Sequence, residues 1–237
     1  MDDKLNLDQH ISHRYNEELD ALRADVLKMG GLVEKQCRNA LKALTKGDLT
    51  LAEKVATSDY KVNDLEVSIN AKCTDLLALR QPAASDLRMI VGVIRMAADL
   101  ERIGDEAEKI GRLAETIASG RDSVQFREDP KHLGKSAIDL LQGALDAFAR
   151  LDVEAAIVAA AKDPDIDREF DSITRLSITH MMEQPASVKT LLRINWCARA
   201  FERIGDHAVN LCEEVVFLVK GSDVRHLSIK EIQDRYL

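Results

Sequence analysis

The pentapeptide ERIGD at residues 101–105 returns letter for letter at 202–206, and the sequence around the two copies repeats with them. Sliding the chain by 104 positions lays ALDAFARLDVEAAIVAAAKD (144–163) on ALKALTKGDLTLAEKVATSD (40–59). Ala40 then meets Ala144, and Leu41 meets Leu145. Asp48 meets Asp152, Ala52 meets Ala156, and Asp59 meets Asp163. The dipeptide QP at 81–82 recurs at 184–185, so the offset shrinks from 104 to 103 and then to 101 at ERIGD. Small deletions account for that drift, and self-similarity at a fixed period signals a repeat architecture.

Within each copy the apolar positions follow helices. Tyr15, Leu19, Leu22, Val26, Met29 and Val33 are spaced 4-3-4-3-4, which keeps one helical face apolar. The first helix is expected to reach about Lys46. After a break at TKGDLT, Leu51, Val55, Val62, Leu65, Ile69 and Leu76 form a second stripe, read as one helix that Pro82 ends. Ser85 is placed to cap a third helix running from about Asp86 to Ile117. The polar, turn-rich ASGRDSVQFREDP that follows marks the internal boundary. The expected fold is all-α: two tandem antiparallel three-helix bundles, residues 1–120 and 121–237, each carrying one E-x-x-x-D motif.

Composition agrees and removes several function classes. Only 4% of the 237 residues are aromatic and four are proline, while good helix formers dominate. A formal charge of −8 leaves no basic stripe for a nucleic-acid backbone, so no nucleic-acid partner is expected. The longest apolar run, AAIVAAA at 155–161, is far short of the roughly 20 residues of a membrane span. Membrane insertion is therefore not expected, and the N-terminus shows no secretory signal. Cys37, Cys73, Cys197 and Cys212 lack C-x-x-C spacing and read as buried free thiols of a cytoplasmic protein.

The charged motif itself poses the functional question. At about 100° per residue, Leu100, Ile103, Ala107, Ile110 and Gly111 share one buried face, and Glu101, Asp105 and Glu108 fall together on its flank. In the second copy Phe201, Ile204, Ala208 and Leu211 face inward, with Glu202 and Asp206 on the same flank. Gly104 and Gly205 lie between core and acids. A mid-helix glycine costs about 1 kcal/mol relative to alanine, and acids four apart repel. Compensation is expected where both occur together. Asp59, Asn63 and Glu66 flank the apolar stripe of the second helix, and Asp163 and Asp167 hold the equivalent flank in the second copy. Two oxygen-rich stripes per bundle meeting at one groove would suit a divalent cation such as Mg²⁺, Ca²⁺, Mn²⁺ or iron. The plainer reading is a solvated rim, with Arg102 and Arg203 forming ion pairs and Asp163 capping a helix that has Pro164 at its first position. His10 and His13 read as a helix start, His207 as a rim residue, and Trp196 with Phe201 as core.

The doubled motif, together with LNLDQHIS (5–12), RQPAASDLR (80–88), DLERIGDEAEKI (99–110), CARAFERIGDHAVNL (197–211) and VKGSDVRH (219–226), resembles the PhoU family of bacterial phosphate-uptake regulators along essentially the whole chain. The resemblance implies two three-helix bundles, a cytoplasmic homodimer, and negative regulation of the phosphate regulon and of uptake itself. It implies an adaptor between the ATPase subunit of the phosphate transporter and a sensor histidine kinase. It also implies iron, zinc or other divalent ions at the acidic motifs, since some members bind them. Carried onto this chain, one set is Asp59, Asn63, Glu101 and Asp105, and the other is Asp163, Asp167, Glu202 and Asp206. Asn63, where the second copy has Asp167, weakens the first set, and Glu108 compensates.

Two alternatives stand beside this reading. A carboxylate-bundle enzyme would use Glu-x-x-His pairs, and no histidine here has glutamate three residues before it. The chain is therefore read as a non-enzyme. A metal-free adaptor would use the same acidic grooves to meet basic partner surfaces.

Overall fold

The computed structural model describes residues 7–58, 60–80, 82, 84–120, 126 and 129–237, with only the helical backbone for residues 7–14. His10 and His13 thus have no described side chains. The described residues are helical, in the order α1 (Leu7–Lys46), α2 (Leu49–Ala56), α3 (Tyr60–Arg80), α4 (Ala84–Ala118), α5 (Lys131–Arg150), α6 (Val153–Ala160), α7 (Asp163–Glu183), a 3-10 turn (Pro185–Ser187), α8 (Val188–Lys220) and α9 (Ile229–Tyr236). No helix among them is long and apolar enough to cross a membrane.

Each repeat supplies three long helices, as the stripes predict, but the second is cut in two. Asp48 caps α2 by accepting from the Leu51 N–H at 3.0 Å, and Asp152 caps α6 through the Ala155 N–H at 2.9 Å. The residue before each cap is left-handed, with Gly47 at φ 64° and Leu151 at φ 52°. The N–H groups of Asp48 and Asp152 reach back to the carbonyls of Ala43 and Ala147. These are the same helix-ending loop built twice. Leu151 adopts a conformation that suits glycine better, and its side chain packs against the core.

α4 and α8 lie at the centre, packed on each other as extensively as α4 packs on α1. α1 and α3 flank α4, and α5 and α7 flank α8. The hydrophobic core runs without interruption from Leu22 and Val26 of α1 to Leu211 and Val215 of α8, so the two repeats share one interior. α9 lies outside the repeat plan. Its capping box, Ser228 with Glu231, starts a short helix whose Ile232 joins Val153, Ile157, Val216 and Val224 in a separate cluster.

Phe201 and the four cysteines are buried, and burial pushes the thiols of Cys37 and Cys212 up to about 12. Trp196 corrects the sequence reading, being 51% exposed. It precedes Phe201 by five residues, which at about 100° each places it well off the core face. Ser85 falls inside the first turn of α4, where its hydroxyl donates to Asp86 rather than capping.

Candidate functional site

Asp163 and Asp167 stand one turn apart at the start of α7, and Glu202 and Asp206 one turn apart in the middle of α8. The two helices approach closely because Gly205 faces α7. A Cβ there would sit 3.3 Å from Ile166 Cδ1 and 3.5 Å from Asp163 Oδ1. One carboxylate oxygen from each of Asp163, Asp167 and Asp206 lies within 4.8 Å of the others. Ligands on opposite sides of a calcium ion are separated by about 4.6–5.2 Å, twice the usual metal–oxygen distance. The spacing therefore fits three oxygens around one cation.

Two buried atoms point the same way. Asp163 Oδ1 and Glu202 Oε2 are both buried without a hydrogen-bond partner, a state that is costly for a carboxylate. Asp163 Oδ1 consequently does not cap α7, although Pro164 does occupy its first turn. Glu202 is 7% exposed, and its other oxygen accepts from Arg199, whose guanidinium lies 5.5 Å from the centre of the Phe170 ring.

Burial, and then crowding of like charge, shows in the acidities. Burial, followed by the carboxylates of Asp167 and Asp206, pushes Asp163 up to about 6. Burial and then Asp206 push Glu202 up to about 7, against the pull of Arg199. Asp206 is raised by burial and by Asp167, with Arg199, His207 and Arg203 opposing. A bound cation would relieve all three. Oxygen donors alone, with no thiolate or imidazole, suit Mg²⁺, Ca²⁺, Mn²⁺ or iron better than zinc.

Of the first set, Asp59 lies outside the described residues. Glu101 is half-buried on α4, while Asp105 and Asn63 are exposed. Glu101, Asp105 and Glu108 do share the flank that the helical phase predicts, beside buried Ile103, Ala107 and Ile110.

Between α4 and α8 lies a polar layer that no single-helix stripe marks. His207 is not a rim residue: its side chain is 12% exposed, and its Nδ1 lies 2.9 Å from Asp99 Oδ1, which also accepts from Asn210 at 3.1 Å. Arg203 pairs with the buried Glu106 at 3.1 Å, and Arg95 with the buried Glu214 at 3.2 Å. An apolar stripe marks one buried face per helix, whereas these central helices are covered on two.

The PhoU domain family matches this chain twice, over residues 26–114 and 131–215, one match around each ERIGD copy. The chain belongs to the PhoU family. It is 44% identical over 232 residues to the phosphate-specific transport system accessory protein PhoU homolog of Pseudomonas putida, covering 98% of this chain and 91% of that protein. Against the phosphate-specific transport system accessory protein PhoU of Escherichia coli the identity is 40% over 230 residues, covering 97% and 95%. The crystal structure of PhoU from Pseudomonas aeruginosa superposes with a TM-score of 0.85 at 43% identity, covering 88% of this chain and all of that one. That of the phosphate transport system regulatory protein PhoU from Streptococcus pneumoniae gives 0.82 at 30% identity, covering 89% and 99%.

Proposed function

We propose that this chain is a cytoplasmic accessory protein of phosphate transport that represses the phosphate regulon and restrains uptake. It acts as a dimeric adaptor between the transporter's ATPase subunit and a sensor histidine kinase. The observation that carries this reading is the likeness over nearly the full length to proteins named as accessory or regulatory components of phosphate transport. Deleting the chain from its host tests it. Phosphate-starvation genes are then expressed in rich phosphate, and normal repression in a clean deletion would remove the regulatory role.

Within that role the acidic clusters hold divalent cations without catalysing a reaction. Convergence of Asp163, Asp167 and Asp206, with orphaned buried oxygens on Asp163 and Glu202, supports the second site. The ion would neutralise the negative charge shared by α7 and α8. Asp163 and Asp167 on one helix and Asp206 on the other would then be tied together, with Glu202 Oε2 available beside them while Arg199 holds the other oxygen. The first site, from Asp59, Asn63, Glu101 and Asp105, is proposed by the repeat, and Asn63 makes it the less charged of the two.

A further inference from the structure

α1 and α5, one from each repeat, run antiparallel along a seam: a Cβ on Gly30 would meet Leu145, one on Gly134 would meet Leu41, and Arg38 donates to Gln142 at 2.9 Å. At one end the seam opens into a groove of about 280 Å³ lined by Arg38, Leu41, Lys42, Thr45, Lys131, Lys135 and Ile138. Arg38 and Lys42 stand one turn apart on α1, and Lys131 and Lys135 one turn apart on α5. No carboxylate lines the groove among the described residues. Glu34 pairs with Arg38 from one turn earlier on α1.

Like charges one turn apart on a helix repel, and here two such pairs line one groove in a chain of net charge −8. The four cations are exposed, and between them lies an apolar floor of half-buried Leu41 and buried Ile138. A small anion would be held by enclosed donors, which this open groove lacks. An apolar floor edged by cations one turn apart on each helix instead complements an amphipathic segment with acidic edges.

We propose that the α1–α5 seam is a docking surface for an acidic amphipathic helix of a partner protein. Its apolar side chains rest on Leu41 and Ile138, and its carboxylates, spaced four residues apart, reach Lys42 on one side and Lys135 on the other, with Arg38 and Lys131, which already have partners, beside them. This surface is separate from the carboxylate groove of α7 and α8 and does not depend on a bound cation. Because the groove is formed by both repeats, such a partner would clamp one repeat to the other.

The test uses the full chain and a fluorescent amphipathic peptide with glutamates four apart flanking leucines, followed by anisotropy at about 0.15 M salt. The glutamate peptide binds, and its glutamine counterpart binds at least tenfold more weakly. Lys42→Glu with Lys135→Glu abolishes binding, and the neutral pair Lys42→Gln with Lys135→Gln weakens it about tenfold, each with unchanged helicity. Lys189→Glu with Lys230→Glu, an equal charge change away from the seam, leaves binding intact. The proposal is overturned if the glutamate peptide fails to bind or if the off-seam pair weakens it equally. It is likewise overturned if inorganic phosphate displaces the peptide where chloride of equal ionic strength does not, or if vesicles containing phosphatidylserine bind through Lys42 and Lys135 while the peptide does not.

Discussion

Arg199 donates to Glu202 three residues further along α8, so one carboxylate of the acidic groove is already held by a cation of the protein's own. Arg199 also lies over Phe170 of α7, which fixes it beside the groove. The first repeat has Ala98 three residues before its ERIGD, where the second has Arg199. A divalent ion recruiting Glu202 through its orphaned Oε2 meets the positive charge of Arg199 on the other oxygen. Arg199→Ala is therefore expected to tighten divalent-cation binding at the second cluster by about tenfold, roughly 1.4 kcal/mol. Titration of metal-stripped variant and parent checks this, and the gain disappears when Glu202→Ala is added.

The raised acidities of this groove predict a pH dependence of known sign. Asp163 and Glu202 sit at about 6 and about 7, above their ordinary values of 3.8 and 4.5. The folded chain therefore binds more protons than the unfolded one between about pH 4 and 7, and the stability contributed by these groups falls as pH rises through that window. Metal-stripped protein is expected to lose more melting temperature between pH 5 and 8 than the variant Asp163→Asn with Glu202→Gln. Cation binding competes with protons, so affinity rises with pH and levels off above about 7. Equal pH slopes for parent and variant would contradict the cluster's acidity.

Two glycines separate close packing from helix propensity. A Cβ on Gly111 of α4 would lie 2.9 Å from the backbone nitrogen of Ala56 and 3.1 Å from Val55 Cβ, whereas one on Gly31 of α1 would meet nothing within 4 Å. Gly111→Ala is expected to destabilise by about 1–3 kcal/mol through overpacking of α2 on α4. Gly31→Ala is expected to stabilise by about 0.5–1 kcal/mol. Chemical denaturation of the two variants measures both, and a stabilised Gly111→Ala would mean that α2 is free to yield.

The long helices and the flank carrying Glu101, Asp105, Glu202 and Asp206 were legible because an amphipathic helix of period 3.6 constrains every residue's direction once its core face is known. The cut between α2 and α3 was not. Val55 and Val62 are seven residues apart, close to two full turns, so the stripe stays in phase across the break and periodicity does not register it. Asp99, Glu106, His207 and Glu214 were hidden for a different reason. Their burial arises from α4 meeting α8, a contact between repeats that no single-helix pattern contains. The convergence of Asp163 and Asp167 with Asp206 was inferable only because the repeat aligned Asp163 with Asp59 and paired each acidic flank with an ERIGD copy.

Calorimetric titration of metal-stripped protein with Mn²⁺, Mg²⁺, Ca²⁺ and Fe²⁺, paired with thermal melts, tests the carboxylate groove most directly. Binding is expected to release heat or protons and to raise stability by about 2.7 kcal/mol at a hundredfold excess over the dissociation constant. Asp163→Asn with Asp206→Asn is expected to remove one class of site while the helices remain intact, since both side chains lie outside the apolar core. No heat and no melting shift with any of these ions would contradict cation binding and leave the groove of α7 and α8 as a surface for basic protein partners.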